Sequence, residues 1–195
     1  MNYTMETIEA WLDRFTEVIE QNKQVLSDLD TPIGDGDHGN NMARGVKAYQ
    51  DAKEKKAPES IADVFKTMAM AMISKVGGAS GPLYGSAFMA MAQASKAYET
   101  LDTAELAAVL EAGALGIKKR GKAELEEKTM LDVWWPCVEE LKENQLTEEK
   151  ITAYVHHTKE LVAKKGRASY LGERAIGHID PGAQSSGYLF ATLIK

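Results

Sequence analysis

The sequence predicts an all-α fold: a single domain over residues 1–195, built as an eight-helix antiparallel barrel or bundle. Apolar residues recur at helical spacing along nearly the whole chain, and no run alternates convincingly at the two-residue period of a strand. The glycines gather in three places, Gly34 to Gly39, Gly77 to Gly85 and Gly166 to Gly187. Glycine inside a helix costs about 1 kcal/mol relative to alanine, so where it clusters the chain has a use for loops.

The elements follow in order. Ile8, Trp11, Leu12, Phe15, Val18, Ile19, Val25 and Leu26 mark the apolar face of a first helix. A second runs from about Asn40 to Ala52 and leads into a charged connector at 52–58. Ser60 caps a third, carrying Ile61, Val64, Phe65, Met68, Met72, Ile73 and Val76 inward. Residues 77–85, rich in glycine and broken by Pro82, are expected to form a loop. A small-residue helix with Ser86, Ala87, Ala90, Ala92, Ala94 and Ala97 follows.

Asp102 caps the next helix, whose face includes Leu106, Val109, Leu110 and Ile117. Thr129 caps another with Met130, Val133, Trp134, Cys137 and Leu141 inward, and Pro136 should kink it. Thr147, followed by Glu148 and Glu149, opens a helix through Ile151, Tyr154, Val155, Leu161 and Val162. Asp180 before Pro181-Gly182 turns the chain into a last helix. The methionines of the third and fourth helices read mostly as core filling.

A chain of 195 residues is large enough to bury a core without staples. Its net charge of −6 offers no basic footprint for nucleic acid. The lone Cys137 forbids an internal disulfide, fits a reducing cytoplasmic location and reads as a buried thiol. No apolar run reaches the roughly 18 residues of a membrane span, and the acidic Glu6 and Glu9 do not suit a signal peptide.

Three aspartates, Asp30, Asp35 and Asp37, fall within eight residues among glycines and a proline. Carboxylates this close repel one another unless a cation neutralises them, and all-oxygen ligands favour Mg²⁺ or Ca²⁺ over zinc. An EF-hand is excluded, because counting from Asp35 puts Gly39 at its fifth position and Val46 where its bidentate Glu belongs. Asp and Gly are also ordinary turn residues, and a solvated acidic loop remains open at this point.

The second glycine cluster, Gly77-Gly78-Ala79-Ser80-Gly81, has the small side chains of an anion nest leading into a helix N-terminus. It lacks the Gly-Lys-[Ser/Thr] ending of a P-loop and fits a tight interhelical turn equally well. In the third, Arg167 and Arg174 offer guanidinium forks suited to phosphate. His38 stands beside the aspartates, within reach of a phosphate, whereas His156 and His157 read as structural or exposed. Three such loops at one end of a bundle would meet the needs of phosphoryl transfer: a metal, a phosphate cradle and a few chosen cations.

Four stretches then carry a resemblance: Gly34-Asp35-Gly36-Asp37-His38-Gly39-Asn40-Asn41, the run at 77–85, Lys128-Thr129-Met130-Leu131-Asp132, and the run at 166–174. Together and in this order they resemble the DhaL family, the nucleotide-binding subunits of dihydroxyacetone kinases, over essentially the whole chain. The resemblance implies an eight-helix barrel with ADP or ATP bound at one end through two Mg²⁺ ions. It implies Asp30, Asp35 and Asp37 as metal ligands, and His38, Gly39, Asn40 and Asn41 with Ala79 and Ser80 on the nucleotide phosphates. Gly121 and Met130 would line the adenine or ribose region, though periodicity alone puts Met130 in the core. Arg167, Asp180, Pro181 and Gly182 would complete the pocket. One departure is Trp134-Trp135, where the family more often carries smaller aliphatic residues.

With nothing left over for a second domain, the resemblance implies the form coupled to the phosphoenolpyruvate phosphotransferase system. There ADP is a coenzyme: a phosphohistidine of a DhaM partner phosphorylates it, and the phosphoryl group passes to dihydroxyacetone on a DhaK partner. No separate catalytic residue is nominated. Two other readings are an ATP-exchanging kinase module for another acceptor and a non-catalytic nucleotide-binding regulator.

Overall fold

The computed structural model describes residues 2–195, and eight α-helices account for most of them. They are α1 (Met5–Asp30), α2 (His38–Lys55), α3 (Ile61–Lys75), α4 (Ser80–Ala94), α5 (Thr103–Gly121), α6 (Leu131–Lys142), α7 (Glu148–His157) and α8 (Pro181–Leu193). Two 3₁₀ segments, Thr158–Glu160 and Arg167–Ala175, lie between α7 and α8. Among the described residues the only β pairing is an isolated antiparallel bridge between Tyr3 and Leu101.

Each helix packs on its neighbours in sequence and α8 returns to α1, so the eight close into a ring. The closing seam is specific. The Trp11 indole donates to the Leu189 carbonyl at 2.9 Å, and Arg14 reaches the Thr192 carbonyl at 3.1 Å. The ring interior is one continuous apolar cluster running from Ile8 to Leu193. Trp11 meets Phe65 edge-on at 6.3 Å, and Phe65 and Tyr84 both stack against Phe88. An up-and-down ring sends alternate connections to opposite ends. The α1–α2, α3–α4, α5–α6 and α7–α8 loops therefore gather at one mouth, and these include the three glycine clusters.

The caps follow the sequence chemistry. Ser60 accepts from the Asp63 amide at 3.1 Å, Asp102 and Glu105 form a reciprocal capping box, and Asp180 Oδ2 accepts from the Ala183 amide at 2.8 Å. Cys137 is buried in the core, and burial pushes its thiol well above the ordinary range, so it is no nucleophile.

Three expectations need correction. Residues 77–85 are not all loop, because α4 begins at Ser80 and takes in Gly81, Pro82 and Gly85. Pro82 stands in the first turn, where its missing N–H has no helical partner to lose. Gly81 is demanded by proximity: a Cβ there would sit 2.1 Å from the Val76 carbonyl oxygen. The last predicted turn of α7 is also absent, since the helix stops at His157 and Leu161 and Val162 follow the 3₁₀ turn. Val25, placed on the apolar face of α1, and Ile73, placed inward on α3, are about half exposed.

Gly81→Ala should therefore lower stability by about 1–3 kcal/mol through overpacking against backbone that has little room to move. A urea midpoint unchanged from the parent protein would contradict the close α3–α4 contact.

Candidate metal and phosphate site

Asp30 is the last residue of α1, and Asp37 immediately precedes α2. Six residues fold back between them. Asp30 Oδ2 accepts the backbone N–H of Asp37 at 3.0 Å and of His38 at 3.2 Å, so the carboxylate also serves the start of α2. Gly34 must be small, since a Cβ there would lie 2.0 Å from Asp30 Oδ1. The result brings one carboxylate oxygen from each of Asp30, Asp35 and Asp37 within 4.8 Å of the others.

The electrostatics of this cluster are those of carboxylates crowded together. A hydrogen bond from Asp37, aided by the Arg167 guanidinium, holds the Asp35 carboxyl below the ordinary range. Burial lifts Asp37 above it, and the neighbouring Asp35 charge adds to the rise. Burial lifts Asp30 as well, against the pull of its two amide donors. Arg167 Nη1 lies 2.6 Å from Asp35 Oδ2, but this exposed pair supplies only partial compensation. Carboxylates in this arrangement either keep a proton or take a cation. The all-oxygen donor set and its spacing fit a hard divalent ion.

Opposite the aspartates, Ala79 and Ser80 start α4 with their backbone amides free of helical partners. His38 lies between the two, buried, with Nδ1 at 3.2 Å from Ser80 Oγ and Nε2 at 2.9 Å from Ser185 Oγ. Both ring nitrogens are thus engaged by serines, and the imidazole reaches the mouth through Ser80. Burial pulls its pKa down to about 4, which leaves the ring neutral at pH 7. Asn41, one turn along α2, is buried and accepts from Arg44.

These groups open onto a cavity of about 440 Å³, within the range of small-molecule sites. It has two characters. Asp30, Asp35, Asp37, Ser80 and Arg167 line a polar part, while Ile33, Leu83, Ile117, Ala123 and Met130 line an apolar one. Gly121, Asp180, Pro181 and Gly182 also border it. Met130 sits against Gly182, where a Cβ would be 3.3 Å from its Cε. Gly39 and Asn40 do not line the cavity: Gly39 presses against the Lys23 carbonyl of α1, and Asn40 is exposed. Arg174 lies off the cavity as well.

The structure gives two residues of the Lys128–Asp132 stretch roles that the sequence did not show. Lys128 is buried at the cavity edge, donating to the carbonyls of Thr158 and His178. Asp132 accepts from the amides of Glu126 at 2.6 Å and Thr129 at 2.8 Å, bracing a loop in which Lys122, Glu126 and Lys128 all have positive φ. Non-glycine residues held in that region signal a loop whose shape matters more than its strain. The dense Lys128–Asp132 stretch was visible in the sequence; the strained backbone around it was not.

Fold and site together define a class: an all-helical barrel with a metal- and phosphate-ready mouth. Comparison with known proteins gives the family. The DAK2 domain matches residues 32–195. The "PEP-dependent dihydroxyacetone kinase 1, ADP-binding subunit DhaL" of Listeria innocua is 53% identical over 195 residues, covering 100% of this chain and 98% of its own. The corresponding Escherichia coli subunit is 40% identical, with 99% and 97% covered. The solved dihydroxyacetone kinase of C. freundii in complex with AMP-PNP and Mg²⁺ superposes with a TM-score of 0.75 at 22% identity. That likeness covers 95% of this chain but only 33% of the larger kinase, and it bears on the fold alone. The chain belongs to the DAK2-domain family and, within it, to the DhaL subunits of phosphoenolpyruvate-dependent dihydroxyacetone kinases. No helix among the described residues is long and apolar enough to cross a membrane.

Asp180 yields a pH prediction for the ligand-free protein. Burial raises its pKa to about 7, against a partial offset from its Ala183 amide donor and from Lys128. Because the folded value lies above the unfolded one, the folded state binds the extra proton. That stabilisation is complete below the unfolded pKa and lost as pH rises through about 7. Between pH 5 and 8 the wild type should lose about 2 kcal/mol relative to Asp180→Asn in urea unfolding. Parallel losses in the two proteins would contradict the buried, proton-holding carboxyl.

Proposed function

We propose that the chain works as the nucleotide-holding subunit of a phosphoenolpyruvate-dependent dihydroxyacetone kinase, with Mg-ADP retained as a coenzyme. The observation that carries this reading is the convergence, in one cavity, of three carboxylates and the open amides at the head of α4. A nucleoside diphosphate with its metal is complementary to both. Its anion suits the amides and Arg167, its metal suits the aspartates, and its base suits the apolar wall.

Asp30, Asp35 and Asp37 would hold two Mg²⁺ ions, with Asp30 fixed in place by the amides of Asp37 and His38. Ala79, Ser80, Asn41 and, through Ser80, His38 would receive the phosphate oxygens. Gly39 and Asn40 would contribute by shaping the first turn of α2. Gly121, Met130, Pro181 and Gly182 would enclose the nucleoside, with Asp180 capping α8 beneath them. Arg167, which pairs with Asp35 and lines the cavity, would offer its guanidinium to phosphate. Bound there, Mg-ADP supplies a site that takes up and hands on a phosphoryl group, and the protein contributes positioning and charge neutralisation. The inferred donor is a phosphohistidine of a DhaM-type partner, and the inferred acceptor is dihydroxyacetone on a DhaK-type partner.

Native mass spectrometry of gently purified protein should find ADP and Mg²⁺ retained, with two ions per nucleotide. Asp35→Asn should lose both metal and nucleotide; a variant that retains ADP like the wild type would sink the metal assignment. Wild-type chain combined with DhaK, DhaM and a phosphoenolpyruvate-driven donor should form dihydroxyacetone phosphate. Failure to do so with nucleotide bound would favour the non-catalytic regulator.

A further inference from the structure

Behind the mouth runs a line of buried polar groups that the phosphate site does not by itself require. His38 touches Ser185, Ser185 touches Tyr84 at 2.7 Å, Tyr84 touches Ser186 at 2.9 Å, and Ser186 touches Trp134 Nε1 at 3.0 Å. Tyr84, Trp134, Ser185 and Ser186 are completely buried. Hydroxyls placed in such a core must find partners, and here they find one another.

One member anchors the direction of the line, and satisfying the remaining hydroxyls sets the rest. An indole N–H donates and never accepts, so Trp134 donates to Ser186. Ser186 has Tyr84 as the one acceptor in reach of its own hydrogen, so satisfying every hydroxyl sends that hydrogen to the Tyr84 oxygen and the Tyr84 hydrogen to Ser185 Oγ. Ser185 has two acceptors for its own hydrogen, His38 Nε2 at 2.9 Å and the Gly182 carbonyl at 3.1 Å. If the imidazole takes it, the ring proton sits on Nδ1 and donates to Ser80, whose hydrogen is then free to point into the cavity. If the carbonyl takes it, the ring proton sits on Nε2 and Ser80 spends its hydrogen on Nδ1. The ring carries one proton in either state.

An anionic oxygen in front of Ser80 accepts only, so it selects the first arrangement. We propose that Trp134, Ser186, Tyr84 and Ser185 are positioning residues: a polarised hydrogen-bond chain, headed by the Trp134 indole, that sets the His38 tautomer and aims the Ser80 hydroxyl at a nucleotide phosphate. In the loaded protein every donor in the chain points the same way, toward the anion, and aligned hydrogen bonds strengthen one another. Trp134, the unexpected tryptophan in α6, thereby acquires a role beyond its edge-on packing against Phe190. The proposal rests on the nucleotide reading of the cavity.

The test uses the full chain labelled with ¹⁵N-histidine, with and without Mg-ADP. Long-range ¹H–¹⁵N spectra of His38 report the tautomer, and calorimetry reports the affinity. Mg-ADP should drive wild-type His38 to the Nδ1–H form. Tyr84→Phe should leave both tautomers populated and bind Mg-ADP roughly three- to tenfold more weakly, the worth of one net hydrogen bond. Ser186→Ala, a smaller change to the core, should do the same. Tyr49→Phe removes a buried hydroxyl that has no partner and should match the wild type in both readouts. An Nε2–H ring in the loaded wild type overturns the proposal, as does wild-type affinity and tautomer in both Tyr84→Phe and Ser186→Ala. A wild type that does not bind Mg-ADP removes the nucleotide reading and this proposal with it; binding with the wrong tautomer removes the chain alone.

Discussion

Mutual repulsion among Asp30, Asp35 and Asp37 is the constraint on which the rest of the structure depends. Two carboxylates about 4 Å apart near a protein surface repel by about 4 kcal/mol, and here three are held together. The fold eases this repulsion by burial that lifts the Asp37 pKa, by aiming two amides at Asp30 and by leaning Arg167 on Asp35. Each device is partial. Together they keep three carboxylates assembled at the mouth, an arrangement that suits a ligand bringing positive charge.

The barrel brings the four loops of one end together around a single cavity. Closure of α8 onto α1 through Trp11 and Arg14 turns eight local helices into a ring. Close packing of α3 on α4 at Gly81 then aims the N-terminus of α4 across the mouth at the aspartates. The strained α5–α6 loop, braced by Asp132 and pinned by Lys128, supplies Met130 to the apolar wall. Groups that are costly to desolvate, such as Asp180, Lys128 and His38, all lie at or just behind this mouth. Perturbed side chains gathered in one place are what a functional site, rather than a merely stable core, requires.

Much of this was legible in the chain. Helical periodicity and the caps at Ser60, Asp102, Thr147 and Asp180 locate the elements, because capping chemistry is local. Spacing alone brought Asp30, Asp35 and Asp37 together for the same reason. What escaped was set by contacts distant in sequence. The start of α4 at Ser80 depends on Val76 and α3 leaving room only for glycine, so a loop composition hid a helix. The end of α7 was missed because Leu161 and Val162 keep the helical period after the chain has turned. The contacts that bury Lys128 and the Ser185–Tyr84 contact were invisible since their partners lie 30 or more residues away. Periodicity placed Met130 in the core, and it is buried, yet its side chain also faces the cavity; burial and site membership are not exclusive.

The central claim is that the aspartates recognise nucleotide only through a divalent metal. Calorimetric titration of nucleotide-stripped protein with ADP, once with Mg²⁺ and once with EDTA, tests it most directly. Tight binding with Mg²⁺ and none measurable without it is the predicted result, because ADP alone would place phosphate against three carboxylates. Equal binding in the two titrations would contradict the account.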